Sequence, residues 1–202
     1  MKYLKIIGLA AVAAVATMAY LGAGSASAQT LYKYTTPSAN DTIATGTELV
    51  LTLETGTSLL LKDTLGGVND TCTGSEMKGK VGTNTTTDAG GVISTLTFTG
   101  CSHTKHTLSN GELEIKNIAG TTNGTVVSKN ARITMKSTIF GISCNINTGA
   151  GTTLGTLTGA KSPTAQATLD INSVVTLENG CGDSTWTGKY QLTSPVGLTV
   201  DS

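Results

Sequence analysis

Aromatic side chains make up only 4% of this 202-residue chain, with one Trp and two Phe, and charged residues only 13%. Each scarcity removes a class of function. Nucleic-acid binding needs a stripe of Lys and Arg to displace counterions from phosphates, and the charges here are scattered singly. Lys78 and Lys80 are the densest basic pair, Glu112 and Glu114 the densest acidic one, so a polybasic membrane patch is missing too. Glycan clefts are usually lined by several aromatics, which argues against a glycosidase. Helical periodicity is absent after the first 28 residues: no later segment keeps apolar residues at 3.6-residue spacing for three turns. No later apolar run is long enough to span a bilayer, and no hydrophobic tail closes the chain.

The first 28 residues differ from the rest. Lys2 and Lys5 precede an apolar, alanine-rich run from Ile6 to Tyr20, and Ala26-Ser27-Ala28 supplies small residues at the spacing a signal peptidase requires. The pattern predicts cleavage between Ala28 and Gln29. An uncleaved anchor is the alternative, disfavoured because the run is shorter than the roughly 20 residues that cross a bilayer. No cysteine lies near the cleavage site to carry a lipid. The expected product is exported: secreted, held at the cell surface, or retained in a periplasm. Without Lys2 and Lys5 the 13 basic residues fall to 11 against 13 acidic ones, a net charge of −2.

What is abundant is threonine, roughly a fifth of the exported part, together with glycine. β-Branched residues suit a pleated surface and glycine suits tight turns. The apolar residues alternate as half-buried strands require. Leu49, Leu51 and Leu53 share a face, as do Val92, Leu96 and Phe98, and Ala131, Ile133 and Met135. The longest such series runs from Ala165 through Ala167, Leu169, Ile171, Ser173 and Val175 to Leu177, and Val174 is the one apolar residue facing outward. Trp186, Tyr190 and Leu192 form a last inward row. Short strands between Gly- and Asn-rich turns predict an antiparallel all-β domain, as a β-sandwich first and a β-barrel second. Residues 29–47 are polar and carry Leu31, Tyr32 and Tyr34. They read as an extended N-terminal arm before a single β-domain over residues 48–202.

Cys72, Cys101, Cys144 and Cys181 all lie in the exported part. An even count in an oxidising compartment implies disulfides, with three connectivities open. Sequential pairing, Cys72 with Cys101 and Cys144 with Cys181, staples each half of the chain. His103 and His106 follow Cys101 closely enough to suggest zinc, but three ligands within six loop residues, one tied into a disulfide, make a poor site. Gly182-Asp183-Ser184 has the look of a serine-protease nucleophile, yet Thr185-Trp186 stands where the oxyanion loop needs glycines. No G-x-S-x-G elbow or H-E-x-x-H helix occurs. The expectation is a non-enzyme without cofactor or metal. Trp186 and Tyr190 read as core aromatics, and the Asn-x-Thr sequons at Asn40, Asn69, Asn84 and Asn123 as chance in an Asn- and Thr-rich chain. The outward Thr95, Thr97 and Thr99 lack the fixed repeat that an ice-binding surface needs.

The segment Gly180-Cys181-Gly182-Asp183-Ser184-Thr185-Trp186-Thr187-Gly188 resembles the ending of a group of small exported bacterial β-proteins that includes the alkane-oxidation activator family. These share a signal peptide, a Thr/Gly/Ser-rich strand body and a late Cys-x-x-x-x-Trp-x-Gly segment, and the likeness covers the last third of the chain. It implies an extracellular, non-catalytic role at a surface or in a biofilm. The leading expectation is therefore a structural or adhesive exported protein. The alternative is a binding module for a small apolar ligand, with Leu59-Leu60-Leu61 lining its pocket. Self-association by lending the arm to a neighbouring sheet edge is a further expectation.

Overall fold

The computed structural model describes residues 29–36, 39–63, 69–102, 104–109, 111–137, 143–178 and 182–201, and among these there is no helix. Two short strands come first, β1 (Thr30–Thr36) and β2 (Ala39–Thr42). The next twelve are β3 (Glu48–Leu53), β4 (Leu59–Asp63), β5 (Asn69–Asn84), β6 (Ala89–Cys101), β7 (Thr104–Ser109), β8 (Gly111–Asn117), β9 (Gly124–Lys129), β10 (Arg132–Ser137), β11 (Ser143–Asn147), β12 (Thr152–Thr158), β13 (Thr168–Glu178) and β14 (Asp183–Ser194). A last strand, β15 (Leu198–Asp201), follows.

These twelve strands make an eight-stave antiparallel barrel, because several staves are pairs of strands laid end to end. β3 and β4 lie in line between β14 and β5: Leu51 pairs with Leu192 and Met77, and Leu61 with Trp186 and Asp70. β7 with β8 and β9 with β10 form one long hairpin, whose register runs unbroken from Glu112↔Lys129 to Arg132↔Ser109. β11 and β12 share the next position, both against β13. The pairing of β14 back onto β3 closes the ring.

The expected sandwich is thus corrected to its alternative, a closed barrel. Closing a sheet this tightly demands strong coiling, which bulges and close backbone approaches supply. Bulges fall at Lys78/Gly79, Val81/Thr83 and Thr153/Gly155. At Gly155 an added Cβ would stand 1.8 Å from the Asp170 carbonyl oxygen, so only glycine permits that approach. One bulge corrects a facing assignment as well. Lys78 pairs with Thr95 but Gly79 with Ile93, leaving Ser94 as an extra residue in β6. The side chains before it change face, so Ile93 is buried and Val92 is 52% exposed.

The barrel interior is packed. Trp186, 3% exposed, meets the Phe98 ring edge-on at 6.4 Å, and Tyr190 is fully buried. The inward row into and along β13 holds from Ala167 to Val175: Ala167, Leu169, Ile171, Ser173 and Val175 are all buried, and Val174 is 61% exposed. Ala165 is exposed and lies before the strand. Buried hydroxyls bond within the wall. The Tyr190 hydroxyl donates to Ser75 Oγ (2.9 Å), which donates to the Thr97 carbonyl (2.8 Å). Burial raises the Tyr190 phenol above its ordinary range, against the pull of the Ser75 bond. The central void, bordered by Met77, Leu96, Ile146 and Trp186, measures about 10 Å³. That is about the least space one water needs.

Candidate functional site

The three-stranded sheet β15-β1-β2 covers one end of the barrel. The arm predicted from the sequence is seated there on its own chain. Leu31 pairs with Val200 and Lys33 with Leu198 on β15, and Tyr32 pairs with Thr42 on β2. Alternation sends the Leu31 side chain down into the barrel mouth among Leu49, Leu51, Met77, Ile93, Leu113 and Ile115, where it is fully buried. The far edge of β15 is held by the Ala160 N–H on the Leu198 carbonyl, the Val200 N–H on the Thr122 carbonyl, and Asn117 Nδ2 on the Val200 carbonyl.

One side chain clamps the arm from below. Asn84 Oδ1 accepts from the Leu31 N–H (2.7 Å), and its Nδ2 donates to the carbonyls of Leu31 (2.9 Å) and Ile43 (2.8 Å). An amide suits this place because it offers a donor and an acceptor from one rigid group. The Asn84 sequon is therefore spent on structure. Asn123 likewise accepts from the Gly159 N–H through Oδ1.

Beneath Leu31 remains an apolar crevice of about 40 Å³. Pockets for drug-sized ligands begin at roughly 300 Å³, so this space is far short of one. Leu59 and Leu61, expected as pocket lining, are fully buried core residues instead.

Outside the mouth, a groove of about 260 Å³ is bordered by Thr83, Asp88, Val92, Glu112, Glu114 and Lys129. Lys129 Nζ lies 2.6 Å from Glu114 Oε2, and Lys116 Nζ 3.5 Å from Oε1. The Lys129 hydrogen bond holds the Glu114 carboxyl below its ordinary range, against the opposing effect of burial. Glu114 in turn raises the Lys129 ammonium, with Asp88 and Glu112 adding to the effect. A depressed carboxyl contributes stability above its unfolded pKa and loses it as pH falls through the folded one. A raised ammonium loses its contribution only as pH climbs through its own folded value, on the alkaline side. Lys129→Met is therefore expected to lower stability at neutral pH and to flatten its decline in acid. Denaturation midpoints measured from neutral pH downward check this, and parallel curves for variant and parent would refute it.

The residues singled out in the sequence fall as follows. Cys72 and Cys101 are bonded across β5 and β6, directly opposite in register, as expected. By loop entropy, a bridge over 29 residues contributes about 3–4 kcal/mol. Cys144 is buried and also disulfide-bonded. Cys181, its expected partner, lies outside the described residues, as do Ala28 and His103. The backbone of His106 pairs with Met135. Asp70 is buried with Cys72 and Cys101, a grouping of metal-ligand type, but both sulfurs are committed to the disulfide. Ser102 Oγ donates to the Asp70 carboxylate at 2.9 Å. Ser184, the residue of nucleophile-like context, is fully buried and donates to the Lys62 carbonyl at 3.0 Å, which leaves no attacking group there. Trp186 and Tyr190 are core, as read.

Sequence reasoning missed the role of Asn84. The only signal was an Asn at the end of a strand-length segment, and nothing local shows that its partners lie 41 and 53 residues away. No family model matches this chain, and neither a curated protein nor a solved structure is measurably similar to it.

Proposed function

We propose that the chain is exported and acts without catalysis as a structural or adhesive component of the cell surface or extracellular matrix. The observation that carries this reading is a closed barrel with a filled interior in which, among the described residues, the buried hydroxyl and amide groups named here are bonded within the fold. Ser184, Ser75, Tyr190 and Asn84 all spend their polar groups on the fold. What faces outward on β5, β6 and β12 includes many uncharged threonines, among them Thr71, Thr73, Thr95, Thr97, Thr99, Thr153, Thr156 and Thr158. Such a wall offers many hydroxyls for contact with hydrated polymers and little charge or apolar area. The signal-like N-terminus, the Cys72–Cys101 disulfide and the resemblance of the last third support the same reading.

The test is fractionation of a producing strain, with protease treatment of intact cells, beside attachment and biofilm assays of a deletion strain. The expected result is the chain at the surface or in the matrix, with attachment reduced on deletion and restored by re-expression. A chain found only as free monomer in the medium, with attachment unchanged on deletion, would refute the reading.

A further inference from the structure

Beside the Cys72–Cys101 bridge, the inner face of β5 carries a carboxylate. Asp70 and Cys72 are both fully buried there, while Asn69, Thr71 and Thr73 point outward and are exposed. Their neighbours across the ladder on β4 are Leu61 and Leu59, apolar and fully buried. An ionised group among such side chains is disfavoured unless it is bonded. Ser102 Oγ donates to Asp70 Oδ1 at 2.9 Å and itself accepts from the Thr71 N–H at 3.1 Å. The other oxygen, Oδ2, lies 3.9 Å from Cys72 Sγ, within hydrogen-bonding reach when sulfur is the donor. A disulfide sulfur carries no hydrogen, so this contact becomes a hydrogen bond only when Cys72 is a thiol. The two sulfurs also differ in access. Cys72 is fully buried, whereas Cys101 is half-buried next to the exposed Ser102.

We propose that Asp70 is the proton acceptor through which this disulfide closes in the folded barrel. The oxidant is an external disulfide, either a small molecule or a protein carrier. Cys101, the accessible sulfur, loses its proton to solvent and attacks first. A bond forms from Cys101 Sγ to one external sulfur, the external S–S bond breaks, and the other external sulfur leaves as thiolate. Cys72 then gives its proton to Asp70 Oδ2 and attacks Cys101 Sγ. The Cys72–Cys101 bond forms, the mixed disulfide breaks, and the second external thiolate leaves. Two electrons pass from the two cysteines to the external disulfide, and the proton held by Asp70 is released to solvent. The attacking species must be a thiolate, and solvent does not reach Cys72 to take its proton. An internal base within reach of the sulfur meets that need.

The test follows closure of the reduced, folded chain by oxidised glutathione, with samples quenched by alkylation and mapped by mass spectrometry. In the parent, a short-lived glutathione adduct is expected on Cys101 and none on Cys72. In Asp70→Asn the adduct should form at the parent's rate but resolve about 100-fold more slowly, the low end of what a general base contributes. The adduct should therefore accumulate, which a merely structural role for Asp70 would not produce. Heavy water should slow the parent's second step, a readout that stands even where the variant fails to fold. Cys72→Ser should hold the adduct on Cys101, and Cys101→Ser should resist modification at Cys72. An Asp70→Asn chain that resolves as fast as the parent overturns the proposal, as does one in which both steps slow alike. An unchanged second step in heavy water, or equal modification of the two single-cysteine variants, overturns it too. A reduced chain that has lost the fold closes without Asp70 in place, and the matching rates of parent and variant would then refute it.

Discussion

Trp186→Ala is expected to lower the free energy of unfolding by about 3–5 kcal/mol, the range for truncating a fully packed large aromatic. Trp186 stands near mid-barrel, buried on every side, with Phe98 across the interior and a void too small to absorb the loss. The cavity cannot collapse readily, since the surrounding staves are tied in a closed ring with no free edge to move inward. A single domain holds only about 5–15 kcal/mol in all, so this substitution removes a large share. Tyr190→Phe makes the matched comparison. It keeps the ring and deletes one hydroxyl, while Ser75 still donates to Thr97, so a cost of about 1 kcal/mol is expected. Urea denaturation with the disulfides intact measures both. Equal small losses would mean that the barrel centre is not packed as described.

Why the barrel was not legible while its strands were follows from what alternation encodes. A period of two shows which residues face the core, as with Ala167, Leu169, Ile171 and Val175, but a sandwich and a barrel share that pattern. The difference lies in whether the last long strand reaches the first, and the contacts that settle it, Leu192 with Leu51 and Trp186 with Leu61, are separated by most of the chain. Bulges hid a second layer of information. The extra Ser94 in β6 reverses the facing of Val92, and nothing in Gly90-Gly91-Val92-Ile93-Ser94 announces which residue is the unpaired one. The first disulfide was legible because Cys72 and Cys101 face each other across a single hairpin of consecutive strands. The arm's extended character was legible too, but its destination was not. That depends on Asn84, on the crevice formed by four different staves, and on β15 at the opposite end of the sequence.

Deleting residues 29–42 from the processed chain is expected to destabilise the barrel rather than release a well-behaved monomer. An arm read from sequence as loose would be dispensable. The seated strand is not, because its removal uncovers Leu49, Leu51 and Ile115, leaves β15 with one open edge, and strips Asn84 of its two bonds to Leu31. Burial of Leu31 alone accounts for about 2–5 kcal/mol, the range for removing a packed leucine, and the lost strand pairing adds to it. Leu31→Ala should reproduce that part of the effect while the backbone bonds remain. The truncated chain should associate with rising concentration, since an exposed apolar mouth beside an open edge is a template for pairing. A synthetic peptide spanning residues 29–42, added in trans, should restore both the melting temperature and the monomeric size read by light scattering. Success would establish that the seat accepts this strand from a separate molecule, the step that exchange between copies at a cell surface requires. A truncated chain with unchanged melting temperature would show that the cap contributes nothing to the fold. A destabilised one that ignores the peptide would confine the strand to its own chain and exclude assembly by exchange.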